Sequence, residues 1–258
     1  MRKFQASESR DIDDVLEMLP HYEAAAQRVI LRVRQFIPFE PGARVLDVGA
    51  AQGSTVTAFA KAGFAACGVE PWASAIEVSK ELAEHTGVPT EIQLGVGEKL
   101  PYEDEAFDYV HAYSVLEHVD DPIAVFQEAH RVLRPGGGFF FCTTSAINPR
   151  QNEIGRFPLF PWYPPRVQRA IMEWAAHERP WLVGYTTRPA VHWFRHRAVR
   201  RSLSDIGFRR LVDKWELRSK TGEFRGISGL LVRTAATYPI ARVAGDFLVG
   251  RVEYLAVK

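Results

Sequence analysis

The chain has 258 residues, 47% hydrophobic and 24% charged, with a formal net charge of +1. That balance supplies a sizeable core and excludes disorder of the whole chain. Cys67 and Cys142 each sit in an apolar run, too few for a disulfide scaffold and without metal-ligand spacing. Residues 1–14 are polar and charged, and no run reaches the ~18 uncharged apolar residues of a membrane span, so the expected protein is soluble and cytoplasmic.

Residues 12–37 carry apolar positions at helical spacing, among them Val15, Leu16, Leu19, Val29, Ile30 and Val33, and Pro20 predicts a break into a short and a longer helix. Short apolar runs then alternate with helical ones. Strands are expected at 43–48, 64–70, 91–96, 107–112 and 138–144, with helices at 54–62, 73–84 and 121–133. The last helix is the best marked: Asp121 can cap it, Pro122 suits its first position, and Arg134-Pro135-Gly136 stops it. Strands separated by helices of about ten residues mean βαβ units, hence a doubly wound α/β fold with helices on both faces of a mostly parallel sheet.

After Ser145 the texture changes. Seven of the 16 prolines and four of the six tryptophans (Trp162, Trp174, Trp181 and Trp193) fall between Pro149 and Trp193. Proline at that density argues against long regular elements, so 148–195 reads as an insertion over the sheet edge or a lid on the site. Regularity returns with a helix at 197–205, a strand at 208–217, an apolar stretch at 226–250 interrupted by Pro239, and a last strand at 252–257. The chain is therefore expected to be one domain: helices in 1–40, a ligand-binding half in 41–147, the insertion, and the end of a seven-stranded sheet in 196–258. Charge divides along the same line. Residues 1–147 hold 12 Lys/Arg and 22 Asp/Glu, whereas 148–258 hold 20 and 9. Either the two parts neutralise each other or they serve different partners.

The most informative run is Val45-Leu46-Asp47-Val48-Gly49-Ala50-Ala51-Gln52-Gly53, leading from a strand into a helix. Glycines at the carboxyl end of a parallel strand let a ligand approach the backbone. A dinucleotide fingerprint wants glycine at 49, 51 and 54; Ala51 and Ser54 fail it, which counts against a nicotinamide oxidoreductase. Seventeen residues after Gly53, Glu70 ends the next strand, where a carboxylate can accept from both hydroxyls of a ribose.

With these residues, Gly97-Glu98-Lys99-Leu100-Pro101-Tyr102, Ala106-Phe107-Asp108-Tyr109-Val110, Leu116-Glu117-His118-Val119 and Leu133-Arg134-Pro135-Gly136-Gly137, the chain resembles class I S-adenosylmethionine-dependent methyltransferases. The group most like it is the small-molecule one that includes ubiquinone- and menaquinone-methylating enzymes. The resemblance covers about residues 40–147 and implies a Rossmann-like fold and S-adenosylmethionine as cofactor. It implies that Asp47 and the loop Gly49, Ala50, Ala51, Gly53 face the methionine part and that Glu70 holds the ribose. Pro71 or Trp72 would lie against the adenine, Gly97 and Glu98 would meet its edge, and Tyr113 would sit beneath the cofactor near the methyl. Ala51 replaces the usual middle glycine, and Val96 stands where relatives often carry an aspartate.

For a base, His118 follows the fourth strand near where the methyl should emerge and titrates in the useful range; capping would serve equally well as its role. His192 and Tyr163 are the other candidates, and Glu117 reads as a helix-start residue. No metal site is indicated. The expected reaction is methyl transfer to an oxygen, less readily a carbon or nitrogen, of a small or lipid-like acceptor. The alternatives are a cofactor-binding protein without catalysis and the oxidoreductase. Arg195, Arg197, Arg200, Arg201, Arg209 and Arg210 suggest an anionic acceptor or peripheral contact of 226–250 with an anionic membrane. Nucleic acid is not an expected partner, because Ala112-Tyr113-Ser114-Val115 replaces the Asn/Asp-Pro-Pro-Tyr of base-modifying relatives. A monomer or a homodimer is expected.

Overall fold

The computed structural model describes residues 11–149, 153–183 and 188–258. The expectations for residues 1–10 and for parts of the insertion, 150–152 and 184–187, lie outside the described residues. The elements run α1 (Ile12–Val33), β1 (Arg44–Val48), α2 (Ser54–Lys61), β2 (Ala65–Glu70), α3 (Ala73–Thr86), β3 (Glu91–Leu94), β4 (Phe107–Tyr113), α4 (Pro122–Val132) and β5 (Leu133–Thr144). They continue with α5 (Pro165–Glu178), α6 (His196–Ile206), β6 (Arg210–Asp213), α7 (Lys214–Ser219), α8 (Gly226–Thr237), α9 (Pro239–Leu248) and β7 (Arg251–Val257).

Seven strands form one sheet in the order β3-β2-β1-β4-β5-β7-β6. β7 pairs antiparallel with both β5 and β6, and the other pairings are parallel. The side-chain period of two sorts the strands between two layers. On β5, Phe139 and Phe141 pack with Phe126 and Ala129 of α4 and with Val199 and Leu203 of α6. Phe140 and Cys142 point the other way, toward Val29 and Ile30 of α1 and Phe59 of α2. The order reverses at β1, between β2 and β4, and an α/β sheet opens a crevice at the carboxyl ends of the strands at such a point.

Several expectations are corrected. Pro20 does not break the first helix, since α1 runs through it for 22 residues; packing of Val15 and Leu19 against Val78 and Leu82 of α3 holds the turn that the proline weakens. The insertion contains a 14-residue helix, α5, because Pro165 falls at its first position, where a missing N–H costs nothing. The strand expected at 208–217 stops at Asp213, whose carboxylate accepts from Trp215 N (3.0 Å) and Glu216 N (3.1 Å) and starts α7. An Asp followed three residues later by Glu216 is a helix-start pattern that the apolar run concealed. Glu117 starts no helix; it lies in a turn and is fully buried.

Candidate active site

The site grows from the end of β1. Gly49 N and Ala50 N donate to Val69 O at 2.9 and 3.0 Å, folding the loop onto β2. Gly49 is required twice over: its φ is +72°, and a Cβ there would lie 2.6 Å from Val115 Cγ2. Ala51 takes φ +48° despite its side chain, a conformation costing roughly 1 kcal/mol, and its N–H donates to Glu70 Oε2 at 2.8 Å. Glu70 thus fastens the loop that the missing glycine would otherwise have eased. Its other oxygen accepts from Trp72 N at 3.3 Å.

Two cavities share Gly49 and Ser114 as a common wall. The smaller, about 210 Å³, is lined by Glu70, Pro71, Trp72, Gly97, Glu98 and His118 among others. The larger, about 590 Å³, takes Asp47, Ala50, Ala51, Gln52 and Tyr113 on one side and Met18, His21, Tyr22 and Ala25 of α1 on the other. Burial pushes the Asp47 carboxyl well above its ordinary range, with the Glu70 charge adding to it. Burial likewise raises Glu70, against the two N–H groups that lower it. Two buried carboxyls lining adjacent cavities are placed to meet a cation or hydroxyls.

The expected site residues divide. Asp47, Gly49, Ala50, Ala51, Glu70, Pro71, Trp72, Gly97, Glu98, Tyr113 and His118 line one cavity or the other. Gly53 lines neither. It sits at the start of α2 with φ +83°, where a Cβ would meet Thr90 Cγ2 at 2.8 Å, so its glycine serves packing. Glu98 reaches the smaller cavity, but its Oε1 accepts from Asp120 N at 2.9 Å, which ties it to the turn before α4. Tyr113 stacks on His111 (6.4 Å), and the Arg251 guanidinium lies 5.4 Å from its ring centroid.

Of the base candidates, His118 alone faces a cavity. Its Nδ1 lies 2.8 Å from Arg188 O; a carbonyl only accepts, so Nδ1 carries a proton, and in the neutral ring the lone pair is on Nε2. His192 Nε2 is spent on Val119 O at 2.9 Å. Tyr163 packs against Phe160 inside the insertion. The insertion builds its own cluster from Ile154, Phe160, Met172, Ala175, Val183 and Ala190. Among its described residues only Arg188 lines either of these two cavities. None of the six clustered arginines lines them.

Sequence reasoning missed three features. The cavity wall from α1 was hidden because its apolar stripe reads as packing alone. His111 also lines the larger cavity; burial lowers its imidazole to about 3, and its Nδ1 lies 3.1 Å from Tyr109 OH. Glu153 comes from the insertion onto Glu117 and His118, each of the three offering a ligand atom within 4.8 Å of the others. A divalent cation or a shared proton could bridge such a set. No sequence spacing joins residues 117 and 153.

Comparison with known proteins agrees with this geometry. Residues 46–141 match the family model described as a methyltransferase domain. A ubiquinone biosynthesis O-methyltransferase from Paramagnetospirillum magneticum is 39% identical over 106 residues, 41% of this chain and 42% of that protein. The chain spans less than half the length of the curated relatives it matches. Among solved structures, a Haemonchus contortus phosphoethanolamine N-methyltransferase 2 in complex with S-adenosyl-L-methionine superposes with a TM-score of 0.56 at 16% identity, over 90% of this chain and 52% of that one. A geranyl diphosphate methyltransferase in complex with GPP and sinefungin gives 0.54 at 22%, over 91% and 76%. At these identities the structural likeness shows the fold. Residues 46–141 therefore resemble a methyltransferase domain, within a chain that shares the fold of these methyltransferase structures.

Proposed function

We propose that the protein transfers a methyl group from S-adenosylmethionine to an oxygen of a small or lipid-like acceptor. One observation carries this reading. Inside the segment matched to a methyltransferase domain, two buried carboxyls on neighbouring strands flank a glycine turn that borders two adjacent cavities.

The residues fit that cofactor. Each Glu70 oxygen already accepts one N–H, and a carboxylate has about four acceptor positions, so two ribose hydroxyls can still be held. Trp72, 46% exposed, offers a flat apolar face at the smaller cavity. Asp47, disfavoured as an anion by burial, gains a partner when an ammonium comes to its side. Bound there, S-adenosylmethionine supplies an electrophilic methyl carbon. The chain's own work is to position the acceptor oxygen, exclude water and take its proton. The α1 side of the larger cavity, with Met18, Tyr22 and Ala25, is apolar enough for an aromatic or alkyl acceptor. His118 Nε2 is the group with a lone pair to take the proton.

The O-methyltransferase activity for which the curated relatives are named supports oxygen as the methylated atom. The test is methyl transfer from isotopically labelled S-adenosylmethionine across a panel of phenols, alcohols, amines and activated carbons. Label in a hydroxylated acceptor supports the reading; label confined to nitrogen or carbon acceptors contradicts it.

A further inference from the structure

Residues 224–250 form α8 and α9, a helical hairpin inserted between α7 and β7. Its inner side is fixed by a buried ionic cluster. Lys214 Nζ binds Asp246 Oδ1 at 2.9 Å, Trp215 Nε1 donates to the same oxygen at 2.7 Å, and Arg242 pairs with Asp213 at 3.0 Å. Gly245 lets α9 close on Trp215, since a Cβ there would lie 2.4 Å from the indole. With Asp246 and Gly245 turned inward, α9 points Ile240, Val243, Phe247 and Leu248 outward, and α8 exposes Ile227, Leu230 and Leu231. Ile240 is 87% exposed and Val243 62%.

Such a large apolar surface on an amphipathic pair needs a cover. The charges say which. The only acid between residues 224 and 250 is Asp246, buried in the cluster, while Arg225 and Arg233 are exposed on α8. The hairpin thus offers water apolar groups, cations and the hydroxyls of Ser228, Thr237 and Tyr238, with no exposed acid of its own. Trp162, half exposed, packs at a tilt on Phe247, ring centroids 6.1 Å apart, adding an aromatic with the amphipathic character of interfacial anchors. Among the described residues no helix is long and apolar enough to cross a membrane.

The geometry points to this face as a docking surface for an anionic lipid bilayer, with α8 and α9 lying in the interface and their cations against lipid headgroups. Its position favours lipid over a distant regulatory contact. Phe247 O accepts from Asn148 Nδ2 at 2.8 Å, and three residues after Leu248, Arg251 donates to Ser114 Oγ at 2.5 Å, on the wall shared by both cavities. Bilayer contact would bring the acceptor cavity near the membrane surface. The binding itself does not depend on the methyltransferase reading, and its readout involves neither cofactor nor turnover.

The test is co-sedimentation of the full chain with vesicles of phosphatidylcholine alone or mixed equally with phosphatidylglycerol, at low and high salt. A double variant, Ile240→Glu with Val243→Glu, changes exposed positions only, and its thermal melt checks the fold. Partition onto the anionic vesicles, lowered at least tenfold by the double variant and weakened by salt, supports the inference. Three results overturn it: no partition at low salt, equal partition onto both vesicle types, or a dimer in analytical ultracentrifugation that the double variant dissolves. The last would make a second copy of the chain the cover. Should the double variant melt early, Arg225→Glu with Arg233→Glu gives the same comparison.

Discussion

Asp47 and Glu70 lie at or next to the ends of neighbouring strands, with both carboxyls pushed above their ordinary values by burial. For Asp47 the ordinary value is 3.8. The folded chain holds the proton to higher pH than the unfolded chain does. The stability this gives is complete below the unfolded value and is lost as pH rises through the folded one. At neutral pH the carboxyl therefore opposes folding, and its retention needs another purpose. Asp47→Asn is expected to raise the melting temperature at neutral pH by a few degrees while weakening S-adenosylmethionine by about tenfold or more in calorimetry. A variant that melts higher and binds as well as the parent would assign Asp47 to structure. His118→Ala should lower turnover by more than roughly tenfold, the low end of general-base effects, with little change in cofactor affinity. Unchanged turnover would remove it as the base.

At the scale of elements, α1 gains a second role. Its apolar stripe packs on α2 and the sheet, yet Met18, His21, Tyr22 and Ala25 also close the larger cavity. Ala25→Trp, which adds an indole on that wall, is expected to cut acceptor turnover by about tenfold or more while cofactor affinity stays within about twofold. A parallel loss of cofactor affinity would place the cofactor, and not the acceptor, on the α1 side. The first five strands and α4 were legible because their signals are local. Asp121 Oδ1 accepts from Ile123 N at 2.8 Å and Ala124 N at 3.3 Å, as its place before Pro122 implied. The Gly49 turn and Glu70 were legible for the same reason, each being defined by a strand end. What escaped depends on tertiary contact. Pro20 is carried inside α1 by packing against α3, the α1 wall exists only once that helix crosses the crevice, and Glu153 meets Glu117 and His118 only through the fold of the insertion.

Across the described residues, ion pairs between the acidic first part and the basic second part include Arg32 with Glu223 and Glu253, and Lys258 with Glu105. Among the described residues, several ion pairs of the basic part are internal, as in Arg218–Glu253 and Arg242–Asp213. Arg201 and Arg210 spend their charges on exposed local pairs, which contribute at most about 1 kcal/mol each. That distribution suits a molecule with a small-molecule crevice in one part and a lipid-facing, cationic edge in the other. The two are joined where β5 and β7 run side by side, through Thr144 and Arg251.

The most direct measurement is isothermal calorimetry of S-adenosylmethionine and S-adenosylhomocysteine on the purified chain and on Glu70→Ala. The account predicts that both ligands bind the parent with one site each and that Glu70→Ala weakens them by about 10- to 100-fold, the loss of one or two charge-assisted hydrogen bonds. Failure of both ligands to bind the parent, or equal affinity in the variant, would contradict it.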